Sequence, residues 1–109
     1  MEMNEYQGLA QRTANTDLDK GQRLANGALG LAGEAGEAAD LIKKHLYHGH
    51  GLNTEKLKSE LGDILWYVAT LSRTLGLDLD EIATQNVAKL RARYPEGFSS
   101  EHSINRVGE

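Results

Sequence analysis

Apolar residues in this chain recur at intervals of three and four, the period of a helix. No run of Val, Ile or Thr alternates with polar residues as a half-buried strand would. Tyr6 with Leu9, Ala10 and Thr13 predicts a short first helix over Asn4–Ala14, and Asn15–Gly21 reads as a polar connection. Leu24, Ala28, Leu31, Ala35, Ala38, Ile42 and Leu46 form one stripe and predict a long second helix from Gln22 to Tyr47. Much of that stripe is alanine, with Gly33 and Gly36 beside it. Glycine weakens a helix, but small residues let a neighbouring helix come close. His48, Gly49, His50 and Gly51 break the period and read as a turn. Leu57, Leu61, Ile64, Leu65, Val68, Leu71 and Leu75 predict a third helix over Thr54–Leu75, ended by Gly76. Asp78 then reads as an N-cap with Glu81 three residues into the helix, a capping box, and Leu77 can staple onto Ile82. This fourth helix runs to Tyr94, where Pro95 stops it. Four helices with short links predict an all-α, four-helix-bundle-like domain over residues 1–98, and residues 99–109 read as a polar C-terminal tail.

Composition narrows the partners more than the fold. A chain of 109 residues allows one domain and a modest core, so assembly into an oligomer that buries more surface is expected. The absence of Cys excludes disulfides and Cys-based zinc or redox sites. Twelve basic against 16 acidic side chains give a formal charge of −4, with no basic block, which argues against nucleic acid as a partner. No apolar run is long enough to span a membrane, and the polar start lacks the pattern of a signal peptide. A cytoplasmic location is the expectation.

Two acidic pairs carry the chemistry. Glu34 and Glu37 lie three residues apart on the second helix, and Glu60 and Asp63 lie three apart on the third. A three-residue step is about 4.5 Å along the axis and keeps both members near one face. If the two helices fold back on each other, Glu34 pairs in height with Asp63 and Glu37 with Glu60, both about the junction of His48 and Gly49. That junction lies in the turn found from composition. Four carboxylates then meet at one level, where they repel and raise one another's pKa values unless a cation joins them. All-oxygen ligation suits Mg²⁺, with Mn²⁺ as the alternative, and leaves positions for water and phosphate. A di-iron centre would need E-x-x-H, and neither pair offers His.

Asn86 falls within the apolar stripe of the fourth helix, with Lys89 and Arg93 along its edge. Basic side chains beside a metal–carboxylate cluster suit a polyphosphate substrate. Asp40, between the two acidic pairs, reads as a surface partner of Lys43 and Lys44. His45, His48 and His50 read as a solvated turn. Trp66 lies nearly opposite its helix's apolar stripe, which favours a subunit interface over contact with the first helix or a base.

At these residues the chain resembles the MazG-like nucleoside triphosphate pyrophosphohydrolases of the all-α superfamily. The matching blocks are Gly33–Asp40, Glu60–Tyr67, Asn86–Leu90 and Arg93–Phe98, in that order, with 22 residues between Glu37 and Glu60. The resemblance covers most of Tyr6–Phe98. It implies Mg²⁺-dependent hydrolysis of a (deoxy)nucleoside triphosphate to monophosphate and pyrophosphate, with nucleotide-pool sanitising as one role. By position it implies Glu34, Glu37, Glu60 and Asp63 as metal ligands, and Asn86, Lys89 and Arg93 as nucleotide contacts. One carboxylate, Glu37 or Glu34, would act as catalytic proton acceptor. It further implies a homodimer or homotetramer whose sites draw helices from two subunits. Two alternatives stand beside it: a non-catalytic helical oligomerisation module, and a phosphoribosyl-ATP pyrophosphohydrolase-like enzyme.

Overall fold

The computed structural model describes residues 1–106. Among them are five helices and no strand: α1 Met3–Gln11, α2 Lys20–Tyr47, α3 Thr54–Thr74, α4 Leu79–Arg93 and α5 Ser100–Ile104. Each start has a local cause. Asp19 caps α2, accepting from the Gln22 amide at 2.8 Å while the Gln22 side chain returns to the Asp19 amide, so α2 begins earlier than its apolar stripe suggests. Asn53 caps α3 through the Lys56 amide at 3.0 Å. Asp78 and Glu81 form the expected reciprocal box on α4. Gly76, at φ 73°, takes the left-handed conformation that ends α3.

α2 and α3 form a long antiparallel hairpin, the dominant packing of the chain. Its seam is the set Leu24, Gly27, Leu31, Glu34, Ala38 and Leu41 on α2 against Leu57, Glu60, Ile64, Tyr67, Leu71 and Thr74 on α3, spaced three and four apart and buried or half-buried. The register matches the turn-centred pairing: Gly27 lies against Leu71, and Gly30 against the ring of Tyr67. The expected stripe on α2 is therefore rotated by one residue. Ala28, Ala35, Ile42 and Leu46 are exposed, and Glu34 occupies the seam in their stead.

α1 lies across α3 and holds the start of α4. Gln7, 1% exposed, is the hub. Its side-chain amide donates to the carbonyls of Ala69 at 3.1 Å and Leu77 at 3.0 Å, and its oxygen accepts from the Leu79 amide at 3.1 Å. Asn4 accepts from the Asp80 amide at 3.0 Å. The buried apolar core, Ala10, Ala69 and Leu79, sits at this junction with Tyr6, Trp66 and Val68 packed around it.

α4 packs mainly on α1, with at most slight contact along the hairpin, so a closed four-helix bundle does not form within one chain. The radius of gyration, 16.8 Å, exceeds the roughly 13 Å of a compact domain of about 100 residues. The expected polar tail is partly helical: Ser99 caps α5 through the His102 amide. The last three residues of that tail lie outside the described residues. Among the described residues, no helix is long and apolar enough to cross a membrane.

Candidate metal centre

The seam brings three of the four predicted carboxylates together. One oxygen from each of Glu34, Glu37 and Glu60 lies within 4.8 Å of the others. Glu34 and Glu60 are half-buried seam residues, and Glu37 is exposed at the rim. The Oε2 atoms of Glu34 and Glu60 are shielded from water and have no hydrogen-bond partner. Burying a charged oxygen without a partner is costly, so the arrangement favours either a proton or a cation. Without a cation, a proton answers. Glu60 is raised above the usual carboxylate range, first by its closeness to the Glu34 carboxyl, then by burial, with the charges of Glu34 and Asp63 adding to the shift and Glu37 opposing it.

Asp63 does not join this group of oxygens. Its shorter arm and its place nearly a full turn beyond Glu60 set it toward the α1 side of α3. There its charge, after burial, helps raise the Tyr6 hydroxyl above the usual tyrosine range. Three of the four carboxylates expected at one level thus lie together, with Asp63 outside the group.

The α4 residues are placed otherwise than the stripe suggests. Asn86 is exposed rather than buried, and Lys89 is exposed too. Leu79, Ile82 and Ala83 take the packing near the start of α4, and Asn86 and Lys89 lie beyond them on an uncovered stretch. Arg93, expected on an open edge, is 9% exposed with Nε unpartnered. Because α4 packs on α1, these three are not gathered onto the hairpin of their own chain.

The basic residues that do lie beside the carboxylates are Lys44 and Lys56, which line one groove with Glu37, Asp40, Leu41 and Glu60. Lys56 is four residues before Glu60 and one turn along the same face, a spacing that could have flagged it in the sequence. Lys44 pairs with Asp40 at 2.9 Å, and Lys43 with the same carboxylate at 3.4 Å, as expected of a surface cluster. Hydrogen bonding to Lys44 is the first cause holding Asp40 below its ordinary range.

Trp66 has an intramolecular role. Its indole N–H donates to Thr13 Oγ1 at 2.8 Å, and its ring meets Tyr67 edge-on at 5.1 Å. The half-buried ring is therefore engaged with the end of the first-helix region, not held open as a free face. Arg23 secures the rest of that connection, donating from Nε to the Leu18 carbonyl and from Nη2 to the Thr16 carbonyl, both at 3.0 Å. At the hairpin turn, His45 Nδ1 lies 2.8 Å from the His50 carbonyl, which orders one of the three histidines.

Two antiparallel helices that gather glutamates into an all-oxygen centre define a class of small helical proteins suited to a hard divalent cation. The chain belongs to the MazG nucleotide pyrophosphohydrolase domain family, whose domain matches residues 22–98. It is also similar to the Gene 37 protein of Mycobacterium phage L5, 36% identical over 114 residues, a match covering 97% of this chain and 100% of that protein. No solved structure matches the chain.

Proposed function

We propose that this protein hydrolyses a nucleoside triphosphate between the α- and β-phosphates, releasing the monophosphate and pyrophosphate with the help of Mg²⁺. The observation that carries the reading is the convergence of Glu34, Glu37 and Glu60, two of them with shielded, unpartnered oxygens. Family membership supports the reaction class.

The donors suit a hard cation. Glu34, Glu37 and Glu60 would hold it, and Asp63, whose charge already acts on Glu60, would complete the set. When bound, the ion supplies Lewis acidity toward the phosphates and a more acidic water. The protein's own groups do the rest. The water oxygen bonds to phosphorus, the bridging oxygen leaves with the departing phosphate group, and a carboxylate takes the water's proton. Glu37 suits that step best because its carboxylate is the exposed one at the rim; Glu34 is fixed in the seam. Lys56 and Lys44 line the adjoining groove, where an ammonium can neutralise phosphate oxygens as charge develops. Asn86, Lys89 and Arg93 are assigned to the nucleotide as well, presented by α4 of a second copy in a homodimer or homotetramer, since α4 leaves its own hairpin uncovered.

The deciding experiment supplies a panel of nucleoside triphosphates with Mg²⁺ and measures pyrophosphate and orthophosphate separately. Stoichiometric pyrophosphate and monophosphate, lost in Glu37→Gln, is the expected result. Diphosphate with orthophosphate would assign the wrong bond, and no turnover of any nucleotide would favour the non-catalytic alternative.

A further inference from the structure

The groove shared by Glu37, Glu60, Asp40, Lys44 and Lys56 is polarised along its length. The helical repeat sorts these groups into two ends. Lys56 precedes Glu60 by four residues on α3, and Lys44 follows Glu37 by seven on α2. Both lysines therefore stand on the hairpin-turn side of the carboxylates, Lys56 by about 6 Å and the Lys44 backbone by about 10 Å. The Lys44 side chain turns back to Asp40, which holds its ammonium at 2.9 Å. One groove thus offers a carboxylate end and an ammonium end.

The ammonium end carries more positive charge than the chain neutralises there. Asp40 serves both Lys43 and Lys44, and among the described residues the Lys56 ammonium has no ion-pair or hydrogen-bond partner. Three lysines against one aspartate leave two positive charges in excess, on a chain whose formal charge is −4. A terminal phosphate carries about two negative charges at neutral pH, which matches that excess. An ammonium is a compact charge with three donors on a flexible stem, so it can meet a tetrahedral phosphate without a fixed approach. Lys56 is exposed, and turning to a ligand breaks no contact of its ammonium.

We infer that the lysine end of this groove receives the terminal phosphates of the substrate, the part that departs as pyrophosphate, and that it selects nucleoside triphosphates over diphosphates; the inference rests on the pyrophosphohydrolase reading for which bond lies at the carboxylates. Lys56 is the specificity-determining residue, since its ammonium stands free to take the last phosphate. Lys44 joins it by leaving Asp40. Asp40 therefore competes with the ligand for one ammonium, which limits how tightly the groove retains pyrophosphate. With its own anhydride bond at the carboxylates, a diphosphate lacks the last phosphate and forfeits the contact with Lys56. The same placement orients the substrate: its phosphates run toward the His48–Gly51 turn and its nucleoside away from it.

Pyrophosphate is the probe, because its binding needs no turnover. Titration calorimetry with Mg²⁺ present should show pyrophosphate binding roughly 10-fold more weakly to Lys56→Gln than to wild type. Asp40→Asn should bind it about threefold more tightly, the size expected when an exposed ion pair no longer competes. Lys58→Gln removes the same charge from an exposed position of α3 outside the groove and should bind as wild type does. In turnover, kcat/KM should favour a nucleoside triphosphate over the matching diphosphate by about 10-fold or more, and Lys56→Gln should reduce that preference to within about threefold. Circular dichroism verifies the helices in each variant. Equal weakening by Lys56→Gln and Lys58→Gln would reduce the effect to long-range attraction and overturn the inference. So would a Lys56→Gln protein that releases pyrophosphate with wild-type affinity and preference, a result that leaves the reaction itself standing. Weaker binding by Asp40→Asn would overturn the competing role of Asp40. Lys56-dependent pyrophosphate binding in a protein that hydrolyses no nucleotide sinks the catalytic reading and upholds the subsite.

Discussion

Replacing Gln7 by Leu would leave the Leu79 amide and the Ala69 and Leu77 carbonyls without partners in a buried setting. The expected loss is about 2–4 kcal/mol, read from urea unfolding at constant m-value. Glu60 gives a prediction of opposite sense. Its folded pKa lies above its ordinary value, so the folded protein binds the proton more tightly than the unfolded chain does. The stability linked to that proton is fully present below the unfolded pKa and is lost as pH rises through the raised one. Without metal, Glu60→Gln should therefore become more stable than wild type as pH rises toward neutrality, and the two should converge in acid. Thermal melts of both proteins across that range test it; a gap unchanged by pH would contradict the raised pKa of Glu60.

Among the elements, Gly30 is where spacing in the hairpin is most sensitive. A methyl group there would collide with the ring of Tyr67. Gly30→Ala should cost about 1–3 kcal/mol, and because Gly30 lies one turn from Glu34 it should also weaken Mg²⁺ binding, measured by titration calorimetry. Tyr67→Leu in the same chain should recover much of the stability. The hairpin itself was legible in the sequence: its turn and register followed from the glycines and the matched acidic spacing, although the Asp19 cap starts α2 earlier than its stripe suggests. The rotation of the α2 stripe was not. Counting alanine as apolar put Ala28 and Ala35 inside, whereas the fold buries Gly27 and half-buries Glu34, and a buried carboxylate cannot be told from a solvated one by periodicity. Gln7 was likewise hidden, since its value depends on three main-chain groups brought from distant parts of the chain. The placement of Asn86 and Arg93 depends on which surface α4 meets, a tertiary outcome that its own weak stripe does not encode.

For the molecule as a whole, Leu61 and Leu65 lie one turn apart on α3 and remain 58% and 43% exposed. With α4 standing off the hairpin, they suit the proposed assembly better than Trp66 does. Sedimentation at micromolar concentration should show an oligomer in wild type and a monomer in Leu61→Glu/Leu65→Glu; a monomeric wild type would refute the assembly. The three hydrogen bonds of Gln7 have one more consequence, in the time domain. They join residues 62, 70 and 72 positions apart, whereas the hairpin closes across a short turn. Local contacts form early and distant ones late, because the larger loop must be closed first. The hairpin should thus belong to the folding nucleus, and the docking of α1 should follow the rate-limiting barrier. Contacts made after the barrier act as a brake on escape. Gln7→Leu should leave the folding limb of the chevron nearly in place and lift the unfolding limb, by roughly two orders of magnitude for a loss near 3 kcal/mol, so that this one amide sets how long the native state lasts rather than how quickly it is reached.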